Sequence, residues 1–215
     1  MRAGDEHRTR LEPPAFRWCT CDVAKITVTC ACGLFAALAV SHPVGASDPW
    51  TKLHRPLHVP RLAPGAACPV SPIDRRVAWR RTKIFGGSGI GRGPVYPGLG
   101  GSAGVLNATP DTHYGGPWAG GKVFWYVKRS YRGRVLIRGR RLDGPQSLGF
   151  NGDKLPAVGE LRIESWDTVS WKGQIRGSRG IASTVRVRTP GCYGVQIDGT
   201  TFSRVVVFAV EVPPG

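Results

Sequence analysis

Acidic residues are scarce in this chain. Asp and Glu number 14 against 30 Lys and Arg, a formal net charge of +16 over 215 residues. No two carboxylates stand at a spacing that suits paired acid/base work on a glycoside. A single methionine excludes a Met-rich adaptable surface. Glycine (30) and proline (18) are plentiful but follow no three-residue period, which excludes a collagen helix. No apolar run reaches the roughly 20 residues of a membrane-spanning helix. The G-x-S-x-G elbow of the α/β-hydrolases and the G-x-x-x-x-G-K-[ST] phosphate loop are both missing. The hydrophobic fraction of 41% nevertheless argues for a folded core rather than a disordered chain.

The longest apolar stretch, Ile26–Val40, is uncharged and 15 residues long, the size of a signal-peptide h-region. Arg8, Arg10, Arg17 and Lys25 precede it, and Val44-Gly45-Ala46 follows with small residues suited to cleavage. We expect residues 1–46 to be a signal peptide cut between Ala46 and Ser47, and the product to be secreted or held at the cell surface. A retained signal anchor is the alternative. Asp5, Glu6, Glu12 and Asp22 are unusual in such a leader and leave Val23 as a second candidate start. A lipoprotein is disfavoured, because the apolar run follows Cys30 instead of preceding it.

Four of the six cysteines (Cys19, Cys21, Cys30, Cys32) fall in this leader. The two that remain, Cys68 and Cys192, predict one disulfide in an exported protein. The closed loop of 124 residues would contribute at most about 4–5 kcal/mol through chain entropy.

Residues 47–67 carry Pro49, Pro56, Pro60 and Pro64, which exclude a regular helix and predict an extended arm. Residues 68–215 read as one β domain. Val77 and Trp79 alternate with basic residues in a candidate strand over 75–83, and the glycine-rich stretch 86–104 reads as loop with a short extended piece near Val95. Val123, Trp125 and Val127 share one face of a strand, Val135 and Ile137 the next, and Val185 and Val187 another. Asp143-Gly144, Asn151-Gly152 and Asp198-Gly199 are turn dipeptides. The final run Arg204–Val212 is apolar on both parities and belongs in mid-sheet. The expected fold class is all-β, an antiparallel β-sandwich (immunoglobulin-like) or open barrel.

The stretch TPGCYGVQIDG resembles the sixth strand of an immunoglobulin-like domain, and Trp125 in a central strand adds to the likeness. Cys192 precedes the Tyr rather than following it, and Cys68 lies in the first segment, so only the sandwich carries over. The segments RPLHVPRL, APGAACPVS, GPVYPGLG, VLIRGRRLDG and PGCYGVQIDGTTFSRVVVF together resemble a family of exported bacterial proteins that has no known activity to lend.

Catalytic and metal-binding signals are faint. His54 and His58 have helical ligand spacing, but Pro56 between them forbids the helix. Asp111 and His113 are the one candidate acid–base pair, the basis of a rival reading as a secreted hydrolase. Gly86–Gly93 lacks any phosphate-loop register, and Asn107-Ala108-Thr109 is a sequon only in a host that glycosylates such sites. No catalytic residue, metal site or cofactor is assigned. Trp118, Phe124, Trp125 and Tyr126 read first as packing residues.

Charge is the strongest functional signal. Beyond Ala46 the chain holds 25 basic and 10 acidic residues. Arg134, Arg138, Arg140, Arg186 and Arg188 alternate with apolar residues and are expected on the solvent side of their strands. On neighbouring strands they would form a basic face for an anionic wall polymer, an acidic polysaccharide or an anionic lipid surface, with no specific nucleic acid implied. Arg-, Gly-, Ala- and Pro-rich composition from GC-rich codons is the competing explanation. The chain reads as an exported non-catalytic β-sandwich module. Its other rival is a structural envelope component that docks on another protein through the arm.

Overall fold

The computed structural model describes residues 48–77, 89–100, 104–110, 117–150, 159–171 and 174–213. The leader with its cleavage site, Trp79, Gly86, Asp111, His113 and Asn151-Gly152 lie outside them. The domain is all-β. Among the described residues ten strands run in chain order: β1 (Val95–Gly98), β2 (Val105–Asn107), β3 (Thr109–Pro110), β4 (Ala119–Val127), β5 (Val135–Arg141), β6 (Gly149–Phe150), β7 (Glu160–Ile163), β8 (Arg179–Val187), β9 (Gly191–Gly199) and β10 (Ser203–Glu211).

They form two five-stranded sheets. Sheet 1 has the order β1-β4-β8-β6, with β3 also paired to β4; sheet 2 has the order β2-β10-β9-β5-β7. All pairs are antiparallel except β2 with β10. Alternation along the strands sends Val123, Trp125, Val127, Val185 and Val187 of sheet 1 inward to meet Val135, Ile137, Tyr193, Val195, Ile197, Val206 and Phe208 of sheet 2. Trp125 is fully buried and donates its Nε1–H to Ser183 Oγ at 2.8 Å, so its one polar atom is satisfied. The inward residues are those that sequence alternation assigned, and β10 does lie between two strands.

Arg75–Val77 is a single 3₁₀ turn and not the start of a strand. Asp74 accounts for it, accepting from the Arg76 amide at 3.0 Å while the Val77 amide closes on its carbonyl.

The outer face of sheet 2 is covered as well. The arm crosses it in extended form after a 3₁₀ turn at Thr51–Leu53. Trp50 and Leu53 pack on Leu136; Val59, with Leu57 and Leu62, packs on Leu142, Cys192 and Val207. This second apolar layer is why β5, β9 and β10 are buried on both faces. Cys68 and Cys192 form a disulfide with Cα atoms 5.4 Å apart. Cys192 stands on the arm side of β9 while Tyr193 enters the main core. The bridge therefore ties the arm to its sheet instead of joining the two sheets.

Candidate functional site

The arginines expected to make one basic face do not share one. Arg134 adjoins and Arg138 and Arg140 lie on β5 of sheet 2, whereas Arg186 lies on and Arg188 just after β8 of sheet 1. Strand alternation was read correctly, but for Arg134, Arg138, Arg140 and Arg186 the side opposite the core is covered. Arg138 Nη2 donates to the Arg55 carbonyl at 2.5 Å and to Asp198 Oδ2 at 3.0 Å, and Arg140 Nη2 donates to the Val59 carbonyl at 3.0 Å. Arg134 pairs with Glu164 at 2.5 Å and stacks between Trp50 and Trp166. Arg186 is wholly buried, with Gly120 and Gly149 as its partners on the adjoining strands. Of the five only Arg188 is exposed, and it sits 4.8 Å over the Trp118 ring.

What Arg134, Arg138 and Arg140 hold is the arm. Gln196 on β9 accepts from the His58 amide at 2.7 Å and donates to the Pro56 carbonyl at 3.0 Å. Arg55 reaches from the arm to Asp198, to the Phe202 carbonyl and to the Gly199 carbonyl at 2.9 Å. A proline-rich segment has few backbone bonds of its own, so side chains of the sheet satisfy it. Trp50 and Leu53 of the arm pack on Leu136 of its own domain. His54, one of the two spaced histidines, lies 3.3 Å from Glu160. Among the described residues no three His, Cys, Asp or Glu side chains gather as a metal site would require.

A basic cleft forms elsewhere, at the end of sheet 1 where three turns converge. It encloses about 560 Å³ and is lined by Asp74, Arg76, Arg92, Gly93, Pro94, Tyr96, Lys128 and Ser130. The 3₁₀ turn after Asp74 presents Arg76. The bend before β1 presents Arg92, and the turn after β4 presents Lys128 and Ser130. Tyr96 is pinned at the back, donating its hydroxyl to Asp74 Oδ2 at 2.8 Å beneath the Lys128 ammonium, 4.9 Å above its ring.

Asp74 organises the cleft. Burial raises its carboxyl, but hydrogen bonds from Arg76 and Tyr96 outweigh that and hold it at about 2. The carboxylate stays charged and is shared by Arg76 at 3.0 Å and Lys128 at 3.8 Å. Arg92 has no carboxylate partner among the described residues. Among the described residues three cations against one anion leave the lining at net +2. Arg129 and Arg132 extend the positive field past the rim, against the turn at Gly177. Arg132 Nη1 donates to the Gly177 carbonyl at 3.1 Å there.

Sequence reasoning passed over Arg76, Arg92 and Tyr96, because Arg76 and Arg92 sit in turns, which carry no strand periodicity, and Tyr96 lies on a strand of only four residues. No protein-family model, no curated protein and no solved structure matches this chain.

Proposed function

We propose that the protein is an exported, non-catalytic β-sandwich module that holds an anionic envelope polymer, such as a wall polymer or an acidic polysaccharide, through the basic cleft. One observation carries this reading: Arg92, Lys128 and Arg76 converge on a concave site in which Asp74 is the only acid among the described residues. Guanidinium and ammonium groups so placed suit phosphate or carboxylate groups repeated along a polymer. The reading is tested by binding to dextran sulfate and polyphosphate, with neutral dextran as control. Binding of the anionic polymers should weaken steeply with salt. Arg92→Gln with Lys128→Gln should weaken it roughly tenfold, and Arg188→Gln should not. Equal binding by the double variant and the parent, or equal binding to neutral dextran, defeats the proposal.

The sandwich reads further as an immunoglobulin-type domain. The order β1-β4-β8-β6 parallels strands A, B, E and D, and β10-β9-β5-β7 parallels G, F, C and C′. Tyr193 near the start of β9 donates its hydroxyl to the Thr189 carbonyl at 2.7 Å, as the tyrosine corner of that fold does. Two features depart from it. Trp125 stands in the B position rather than C, and β6 precedes β7 in the chain. An experimental structure with a different strand order would remove the assignment.

Export rests on the leader. Sequencing the N-terminus of the exported product should begin at Ser47. A product that still carries Cys30 would replace cleavage with a retained anchor.

A further inference from the structure

A second concavity opens beside β4 of sheet 1 and reaches Leu106 and Asn107 of β2, sharing no residue with the basic cleft. It arises from what flanks Phe124. In register with Phe124 stand Gly98 on β1 and Ala182 on β8, so a large ring has almost nothing beside it on either side. The chain between β7 and β8 returns over this gap and brings Trp171 edge-on to Phe124, with ring centres 5.1 Å apart. Gly180 lets the two rings close, because a methyl group there would collide with the Phe124 ring. The result is a cleft of about 430 Å³, walled by Phe124, Trp171, Val169 and Leu106.

Its polar content is small and one-signed. Lys122 lines it, two residues before Phe124 on the same face and therefore about 7 Å along the strand. Among the described residues no acidic side chain lines the cleft and Lys122 has no carboxylate partner. Asn107 and Ser170 supply the remaining polar groups. Val169 on its wall is 42% exposed, so the apolar surface is open to a ligand. A concave apolar site of this size suits one small molecule and is too small for a stable protein interface.

We propose that this cleft binds a small amphipathic carboxylate, its acyl or aryl body between Phe124, Trp171 and Val169 and its carboxylate at Lys122. The apolar body leaves water against aromatic walls, and the anionic head meets a cation that stays solvated at the rim. Polymer binding at the basic cleft is independent of it, so either can fail alone.

The test uses 1-anilinonaphthalene-8-sulfonate as fluorescent reporter on the disulfide-bonded protein, displaced by decanoate or by decanol. One saturable site is expected. Ala182→Trp fills the gap beside Phe124 and should reduce reporter and decanoate affinity at least tenfold. Val169→Glu, at an exposed loop position, should do the same to both anions. Lys122→Gln should weaken decanoate roughly five- to tenfold and leave decanol unchanged. Undiminished binding by Val169→Glu and Ala182→Trp, or equal loss of decanoate and decanol in Lys122→Gln, overturns the proposal.

Discussion

Arg138 on β5 and Asp198 on β9 meet at 3.0 Å beneath the arm, where the Asp198 side chain has no exposure to solvent. Gln196 and Arg55 bond the same carboxylate, so a buried charge is fully enclosed by donors. Removing the Arg138 guanidinium leaves this buried carboxylate with Arg55, at 3.3 Å, as its remaining charged partner. Arg138→Gln should therefore lower stability by roughly 3 kcal/mol, or about 6–12 °C in Tm for a domain of this size. Arg188→Gln, at an exposed position, should change stability by less than about 0.5 kcal/mol. Thermal unfolding of the two variants side by side checks this, and equal melting temperatures would show that the arm is not clamped as described.

The Cys68–Cys192 bridge closes the arm onto the face it covers. Replacing both cysteines by serine should cost about 2–5 kcal/mol. Its sharper signature is local. With the tether gone, residues 48–67 are held by a handful of side-chain bonds and two apolar clusters, so they should open before the sheets do. Limited proteolysis should then cut within the arm at protease levels that leave the parent intact. Cleavage that begins inside β4 or β9 instead would mean that arm and sheets unfold as one unit.

Asp74 makes the basic end sensitive to acid. Its carboxyl is held at about 2 in the folded protein, against about 3.9 in an unfolded chain. A depressed folded value stabilises above the unfolded one, and that contribution is lost as pH falls from about 4 towards 2. Asp74→Asn should lower stability at neutral pH and flatten its decline between pH 4 and 2. Urea titrations at several pH values in that range read the difference. Parallel pH profiles for parent and variant would show that the carboxylate does not carry the effect.

The inner faces were legible because their apolar residues keep a period of two through long strands, as in Val123–Val127 and Val185–Val187. The disulfide was legible because only two cysteines remain after the leader is set aside. The outer faces were not legible. Arg138 and Arg140 look like solvent-facing residues in any reading of β5 alone, and only the arm, some eighty positions away, makes them interior. A sign of this was present in Leu136, an apolar residue on the supposedly polar side of β5, and in the double parity of β10. Both mark a strand covered on two faces. The basic cleft was invisible for a different reason. It is a meeting of turns around Asp74, and turn residues carry no periodic signal that says which turns will meet.

Gly91 and Gly65 offer a paired measurement of how tightly the turn before β1 is packed. Both have positive φ, +89° and +78°, where an L side chain is strained. They differ in surroundings. A Cβ on Gly65 would meet nothing within 4 Å, whereas one on Gly91 would lie 2.6 Å from Val206 Cγ2. Gly91 also donates its amide to the Pro72 carbonyl at 2.8 Å, so the backbone has little freedom to withdraw. Gly65→Ala should cost only the conformational strain, about 1 kcal/mol. Gly91→Ala should cost that plus an overpacking penalty of roughly 1–3 kcal/mol. Val206→Ala alone leaves a small cavity and destabilises. Combined with Gly91→Ala, it should recover part of the loss, giving a coupling of opposite sign to the two single effects. Urea unfolding of the three variants and the double reads all four terms. Additive losses would show that the turn gives way without pressing on β10, and the close approach of Gly91 to the core would then carry no energetic weight.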